Sequence, residues 1–324
     1  MRGWGMLILL GATGCAARVE QDGEVRGTVL TSWSARSYRD PSTRRTLRSL
    51  RALGANHVAV LATWYQSDLV GEDMGPDPRR TPEDDAVLYA AREAVEMGFS
   101  VTIKPHLDVA DGTWRGEIRP ADPAAWFERY TAFARHYAEL AEEVGARALV
   151  VGTEMKGTES DDRWREVISA AREVFAGEII YAANWDSYAD VAWWDAVDTL
   201  GVDAYFPLTS LMDPHPDVVR RAWTLRRDEL DAFAAAQGKG LILAEFGYQD
   251  RDGTNTSPWW APTDRHDPEE QATCLEAAFQ AITTSRHIRG GYVWKTYYDP
   301  FGDLDGFDVL GKPAEVVLAD AWAR

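Results

Sequence analysis

Cysteine is almost missing from this chain: 324 residues contain two, Cys15 and Cys274. No disulfide framework and no cysteine-based zinc site can be assembled from them. Basic residues are scarce as well. Lys and Arg number 34 against 52 Asp and Glu, a net charge of -18 with a pI near 4.8. Binding to nucleic acid needs a basic surface that releases phosphate counterions, so partners of that class are excluded. A soluble acidic surface suits a neutral substrate that needs no charge steering.

Long hydrophobic runs are missing too. The one apolar stretch near the amino terminus, Trp4–Leu10, is too short to span a bilayer as a helix. Arg2 precedes it and Gly11-Ala12-Thr13-Gly14 lead to Cys15, so residues 1–15 read as a signal peptide. Gly14 directly before Cys15 resembles a bacterial lipoprotein cleavage box, in which the cysteine is acylated and becomes a membrane attachment. Ala12 stands where that box prefers Leu. Export is expected, to the periplasm, cell surface or medium of a bacterium, with residues 16–24 as a polar tether and 25–324 as one domain. A monomer is expected.

The remainder alternates strand and helix. Short apolar runs at Gly27–Thr31, His57–Ala62, Ser100–Lys104, Ala148–Thr153, Ile179–Ala183, Thr199–Ala204, Leu241–Ala244 and Gly291–Trp294 read as strands buried on both faces. Helical patterns fall between them: Pro41–Leu53, Pro82–Met97, Asp122–Val144, Asp161–Phe175, Pro216–Gln237, Pro268–Ser285 and Pro313–Ala323. Gly54 and Gly98 stop the first two. Only a short segment, Tyr188–Asp195, follows the fifth strand. This alternation predicts an α/β fold, a single (β/α)8 TIM barrel, and the length fits one barrel of about 250 residues plus loops. A doubly wound sheet would want a glycine-rich phosphate loop after the first strand, and Thr31-Ser32-Trp33-Ser34 offers none. Cys274, in a predicted helix, should pack as a small hydrophobe.

Aromatics are abundant, with 14 tryptophans. Trp126, Trp164 and Trp223 lie on predicted helices and should fill core space. Trp33, Trp64, Trp114, Trp185, Trp259, Trp260 and Trp294 fall at strand ends or in loops, where indole faces can pack against the C–H faces of sugar rings. Trp259-Trp260 sits in the long segment Gln249–Asp267, and loops of that length are often functional. The competing reading is a hydrophobic plug that anchors the loop.

Two glutamates close predicted strands four and seven: Glu154 after Ala148-Leu149-Val150-Val151-Gly152-Thr153, and Glu245 after Leu241-Ile242-Leu243-Ala244. Strand ends of a barrel point into the catalytic mouth. A carboxyl pair about 5–5.5 Å apart across the anomeric carbon is what a retaining glycosidase uses. Glu245 would stay ionised among donors such as Tyr205. Glu154, beside that charge and partly desolvated, would be raised and serve as acid, then base.

The strings Thr63-Trp64-Tyr65-Gln66, Lys104-Pro105-His106, Val151-Gly152-Thr153-Glu154, Ala244-Glu245-Phe246-Gly247-Tyr248 and Gly311-Lys312-Pro313 together resemble glycoside hydrolase family 113. The resemblance runs from about Gly27 to the last helix. It implies a (β/α)8 retaining glycosidase acting on β-1,4-mannan or glucomannan, with Glu154 as acid/base and Glu245 as nucleophile. Thr153 departs from the wider clan, where Asn usually precedes the acid/base, so the sugar 2-hydroxyl is left to another group, and Asn184 is the candidate. Lys104 and His106 are candidates for donors to hydroxyls beside the cleaved bond. A satisfied rim histidine is the alternative for His106, and a buried ion pair the alternative for Lys104. Trp294 is placed as the floor under the reacting sugar, and Trp33 and Trp64 as lining of the mouth. Asp299, Asp303, Asp305 and Asp308 lack the remaining ligand positions of an EF-hand, and Lys312 stands where its closing Glu belongs. They read as a solvated acidic loop, and no metal or cofactor is needed. Activity on another β-linked glycan, exo-acting β-mannosidase action, and a non-catalytic sugar-binding barrel are the alternatives.

Overall fold

The computed structural model describes residues 24–299 and 305–323, so the expected leader, Cys15 and Asp303 lie outside the described residues. Eight parallel strands run in chain order: β1 (Val25–Thr31), β2 (His57–Gln66), β3 (Ser100–Val109), β4 (Ala148–Thr153), β5 (Glu178–Asn184), β6 (Thr199–Asp203), β7 (Leu241–Phe246) and β8 (Ile288–Tyr297). Each pairs with the next, and β8 returns to pair with β1, which closes the barrel. A two-residue segment, Met74–Gly75, pairs antiparallel with the end of β2.

Helices cover the outside: α1 (Pro41–Ala52), α2 (Asp84–Glu96), α3 (Pro123–Val144), α4 (Trp164–Arg172), α5 (Pro216–Gln237), α6 (Pro268–Thr284) and α7 (Pro313–Trp322). Their limits follow local chemistry. Asp40, Asp122 and Asp267 cap α1, α3 and α6 by accepting from backbone N–H groups of the first turn, each followed directly by Pro. Gly145 and Gly238 end α3 and α5 in the left-handed conformation. After β5 there are two single 3-10 turns, Tyr188–Asp190 and Trp194–Ala196.

Period-two alternation separates two cores. Val29, Ala59, Leu61, Ala148, Val150, Ile180, Ala182, Ile242, Ala244 and Tyr292 fill the barrel. The intervening residues, such as Val58, Val60, Val151 and Leu243, face the helices. Trp126, Trp164 and Trp223 are fully buried in that outer layer, and Cys274 is buried there too. Trp164 stacks on Trp193 at 5.3 Å and meets Tyr130 and Tyr181 edge-on or tilted.

Strands β2, β3 and β8 extend beyond the apolar runs that announce them. Their last residues are Thr63–Gln66, Pro105–Val109 and Lys295–Tyr297, in which polar or aromatic residues interrupt the apolar run. β3 continues through Pro105 because its ladder with β4 has already ended at Ile103, and an open edge tolerates a residue without an N–H. These extensions build the wall of the mouth.

Candidate active site

Both candidate glutamates follow an irregularity in their strand. On β4 the register with β5 shifts between Val150 and Gly152. A Cβ on Gly152 would come within 2.8 Å of the Trp164 and Tyr181 rings, so only glycine lets the strand lie this close to the outer aromatic cluster. Glu154 follows with a φ of 52°, a left-handed backbone that costs a non-glycine residue about 1–2 kcal/mol. Its own N–H is held by Ala182 O at 2.8 Å, and the next N–H, of Met155, by the Tyr181 hydroxyl at 3.2 Å. On β7 the register jumps from Val202↔Leu243 to Asp203↔Glu245. Ala244 therefore packs inside the barrel and Glu245, the next residue, also faces the mouth. Bulges of this kind re-aim side chains beside active sites.

Glu154 and Glu245 line one cleft of ≈ 920 Å³ at the C-terminal ends of the strands. Their surroundings differ. Glu245 is buried, and its Oε2 accepts from the Tyr205 hydroxyl at 2.8 Å. Its Oε1 lies 3.1 Å from Lys104 Nζ and 3.4 Å from His106 Nε2. Burial alone would raise this carboxyl, but Lys104, then His106 and Arg115, outweigh it and bring it down to about 2. Glu154 has one oxygen engaged. Its Oε2 accepts from Trp114 Nε1 and Arg115 Nη1, both at 3.1 Å. Burial raises Glu154 above the usual carboxylate range, Arg115 offsets part of that, and the charge of Glu245 raises it further.

Arg115 lies on a 3-10 turn, Arg115–Glu117, in the loop after β3. Its Nε and Nη2 hold Asp108 Oδ1 at 2.9 and 2.6 Å while Nη1 reaches Glu154. Removing this cation should have two effects. For Arg115→Leu, the alkaline limb of kcat/KM should move to higher pH, because the group that lowers Glu154 is gone. The rate should also fall about 10- to 100-fold, because Glu154 loses its orientation. A pH–rate comparison checks both, and an unmoved limb counts against the pairing.

The other expected site residues divide into three groups. Trp33, Asn184, Tyr205, Trp259, Trp260 and Trp294 line the cleft. Trp294 stacks face to face with His106 at 6.0 Å, and Trp259 stacks with Trp185 at 5.7 Å. Trp260 is 61% exposed. Asn184 commits its amide to Asp186 Oδ1 at 2.6 Å. Lys104 and His106 form a second group beneath the floor, buried beside Glu245. The expectation that Lys104 donates to sugar hydroxyls is therefore corrected: it is 0% exposed, with its ammonium turned to Glu245 and Asp203. Burial, then the charge of Arg115, lowers His106 to about 4, so it is a neutral neighbour of Glu245 at ordinary pH.

Trp64 is the third case, and its placement in the mouth is corrected. It packs against Phe133, His136 and Tyr137 of α3 at 5.2–6.1 Å. Leu61 faces the barrel interior and Tyr65 the cleft, so alternation turns Trp64 towards the helices. The same alternation points Lys104, His106 and Asp108 to one side of β3. It would have found Asp108 and Tyr65 from sequence. Arg115, Arg80 and Asp186 sit in loops without periodicity, where alternation gives no signal, whereas Trp114, expected among the loop tryptophans, lines the cleft.

Several acidic residues are engaged by donors of the protein itself. Asp305 Oδ2 is held by Lys295 at 2.6 Å, and Asp308 Oδ1 accepts from Leu310 N at 2.9 Å. Asp252, Asp267 and Glu270 converge, but they already accept from Arg265, from the Glu270 N–H and from Asn255.

Comparison with known proteins bears on the fold and the family. A search of curated proteins finds no match. Among solved structures, the family 113 β-mannanase from Alicyclobacillus acidocaldarius, in complex with ManMIm, superposes with a TM-score of 0.85 at 28% identity, covering 94% of this chain and 98% of that one. A family 113 β-1,4-mannanase in complex superposes equally well, TM-score 0.85, at 23% identity over 93% of this chain and 99% of the other. The β-glucuronidase of Ruminococcus gnavus shares the fold at a TM-score of 0.59 and 18% identity, over 86% of this chain and 46% of that one. Residues 30–300 match the sequence profile of Glycoside Hydrolase Family 113, and with a closed barrel carrying two carboxyls in its mouth, the chain belongs to that family and is a glycoside hydrolase.

Proposed function

We propose that the protein is a retaining endo-β-1,4-mannanase in which Glu245 is the nucleophile and Glu154 the acid/base. The observation that carries the reading is two carboxyls in one cleft with opposite surroundings. Glu245 is held by Tyr205, Lys104 and His106, the last two lowering it against the effect of burial. Glu154 has one oxygen engaged by Trp114 and Arg115 and is raised by burial. Environments that drive two carboxyls apart assign the ionised role to one and the protonated role to the other. Glu245 attacks the anomeric carbon while Glu154 passes its proton to the leaving oxygen, and the glycosidic C–O bond breaks. Glu154 then takes a proton from water, whose oxygen displaces Glu245 from the sugar. Trp33 and Trp294 supply flat faces in the same cleft.

Endo action is supported by the shape of the cleft. The loop after β7 contributes Trp259 and Trp260 at one side. The end of β2 and the loop after β3 contribute Tyr65 and Trp114, across the mouth. A cleft in which loops from different parts of the mouth add aromatic faces to the carboxyl pair suits an internal bond of a long chain. β-Mannan is favoured by what the two family 113 structures are named for. A panel of mannan, glucomannan, galactomannan, xylan and cellulose tests substrate and mode together. Mixed oligosaccharides of retained β-configuration are expected from the mannans, and monosaccharide alone or an inverted first product would overturn the reading.

A further inference from the structure

Asp203 closes β6 fully buried, and no donor hydrogen-bonds to either of its carboxyl oxygens. Its in-register neighbour on β5, Asn184, gives its amide to Asp186. Its in-register neighbour on β7 is Glu245. From β3, Lys104 Nζ stands 3.7 Å from Asp203 Oδ1 but 3.1 Å from Glu245 Oε1, and His106 also turns to Glu245. Tyr205, two residues on, spends its hydroxyl on Glu245. Lys104, the ammonium that faces Asp203, is thus shared with Glu245, which it approaches more closely.

The charges do not balance if all carboxyls ionise. Lys104 and Arg115 face Asp203, Glu245, Glu154 and Asp108. Asp108 is held by two nitrogens of Arg115, and Glu245 by Lys104 and Tyr205. Glu154 carries the proton that general acid catalysis needs. A buried carboxylate that accepts no hydrogen bond and only shares one ammonium with a nearer carboxylate is costly enough that it takes up a proton instead.

We propose that Asp203 is a positioning residue that holds a proton in the resting enzyme and, by staying neutral, leaves the charge of Lys104 to Glu245. This deepens the assignment of Glu245 as nucleophile and rests on it. Burial first, and then the charges of Glu245 and Glu154, push Asp203 well above its ordinary range, while Lys104 and Arg115 pull the other way. When pH rises far enough to ionise Asp203, Lys104 is shared between two carboxylates and Glu245 loses part of its hold.

Infrared spectra of the parent chain, with aspartate carboxyls labelled with carbon-13, test the proton directly. A protonated-acid band is expected at neutral pH and should vanish in Asp203→Asn. Its absence from the parent overturns the proposal, and that holds even if the variant fails to fold. In kinetics, Asp203→Asn should stay within about threefold of the parental kcat/KM on the acid side and show a shallower alkaline limb at higher pH. Lys104→Met should lose about 100-fold or more throughout. An Asp203→Asn variant that loses about 100-fold at every pH with its limb unmoved also overturns the idea. A 2-deoxy-2-fluoromannosyl fluoride separates the two assignments. Labelling of the parent at a residue other than Glu245 sinks the nucleophile, and with it the positioning role, whereas the infrared band still reports the proton on Asp203.

Discussion

Glu245→Ala should abolish turnover of mannan, with kcat down by about 10⁵- to 10⁶-fold, the scale seen when a covalent nucleophile is removed from an enzyme whose catalytic groups act as a unit. The loss is large because three neighbours are arranged for this one carboxylate: Tyr205 at 2.8 Å, Lys104 at 3.1 Å and His106 at 3.4 Å. None of them can attack carbon in its place. The space opened by the truncation should admit azide, which approaches the anomeric carbon from the nucleophile's side. Azide should therefore restore part of the rate with an activated mannoside and give the α-mannosyl azide. Retention of more than about a tenth of the parental rate, or a β-configured adduct, removes Glu245 from the role. The same residue governs acid tolerance. Its folded-state carboxyl is depressed to about 2, below the ~4.3 of an unfolded chain. It therefore contributes stability that is fully present above the unfolded value and is lost as pH falls towards about 2. Glu245→Ala should show a weaker loss of Tm across that acid range than the parent.

The parts legible in the sequence were those written by periodicity and by punctuation. Apolar runs located all eight strands, because strands buried on both faces have no polar positions to interrupt them. The expected limits of α1, α3 and α5 fall within a residue of the observed ones, with Gly54 the stop read for α1. Strand termini were underestimated wherever the chain turns polar at the mouth, as at Thr63–Gln66 and Pro105–Val109. Tyr65 and Asp108 break the apolar run because they face the cleft, whereas their neighbours Trp64 and Leu107 face the helices. Trp64 shows the cost of reading residue type without parity: an indole near a strand end suggests sugar, while its place in the alternation gives it to α3. Glu245 is the reverse case. Strict alternation after Ala244 would turn it outward, and the bulge that brings it in depends on the β6–β7 register, which no local pattern encodes. Arg115 and Asp203 escape sequence reasoning for different reasons. Arg115 lies in a loop, where no period applies. Asp203 is one more acidic residue following an apolar run until burial, and the lack of a donor, set it apart.

Glu154→Gln should lower kcat on mannan by about 10²- to 10⁴-fold, the range that general acid–base assistance supplies. Unlike the loss at position 245, this one should depend on the leaving group. A mannoside with a 2,4-dinitrophenyl leaving group needs no proton for the first step, so formation of the glycosyl-enzyme should proceed at close to the parental rate. Hydrolysis of that intermediate should become limiting, visible as a burst of phenolate followed by a slow steady state. Glutamine is the instructive replacement because Trp114 and Arg115 both donate to Oε2 of Glu154 at 3.1 Å, and an amide oxygen can accept from them in the same place. The fold and the nucleophile should therefore remain, and only the transferable proton on the other oxygen is lost. The pH profile supplies the second half of the test. With Glu154 raised by burial, the parental kcat/KM should fall as pH climbs through that displaced value, since the acid form disappears. Glu154→Gln cannot titrate, so its alkaline limb should flatten for the activated substrate. A variant that slows mannan and the dinitrophenyl mannoside equally, with no burst and the parental pH dependence, would show that Glu154 orients the sugar without passing a proton to it.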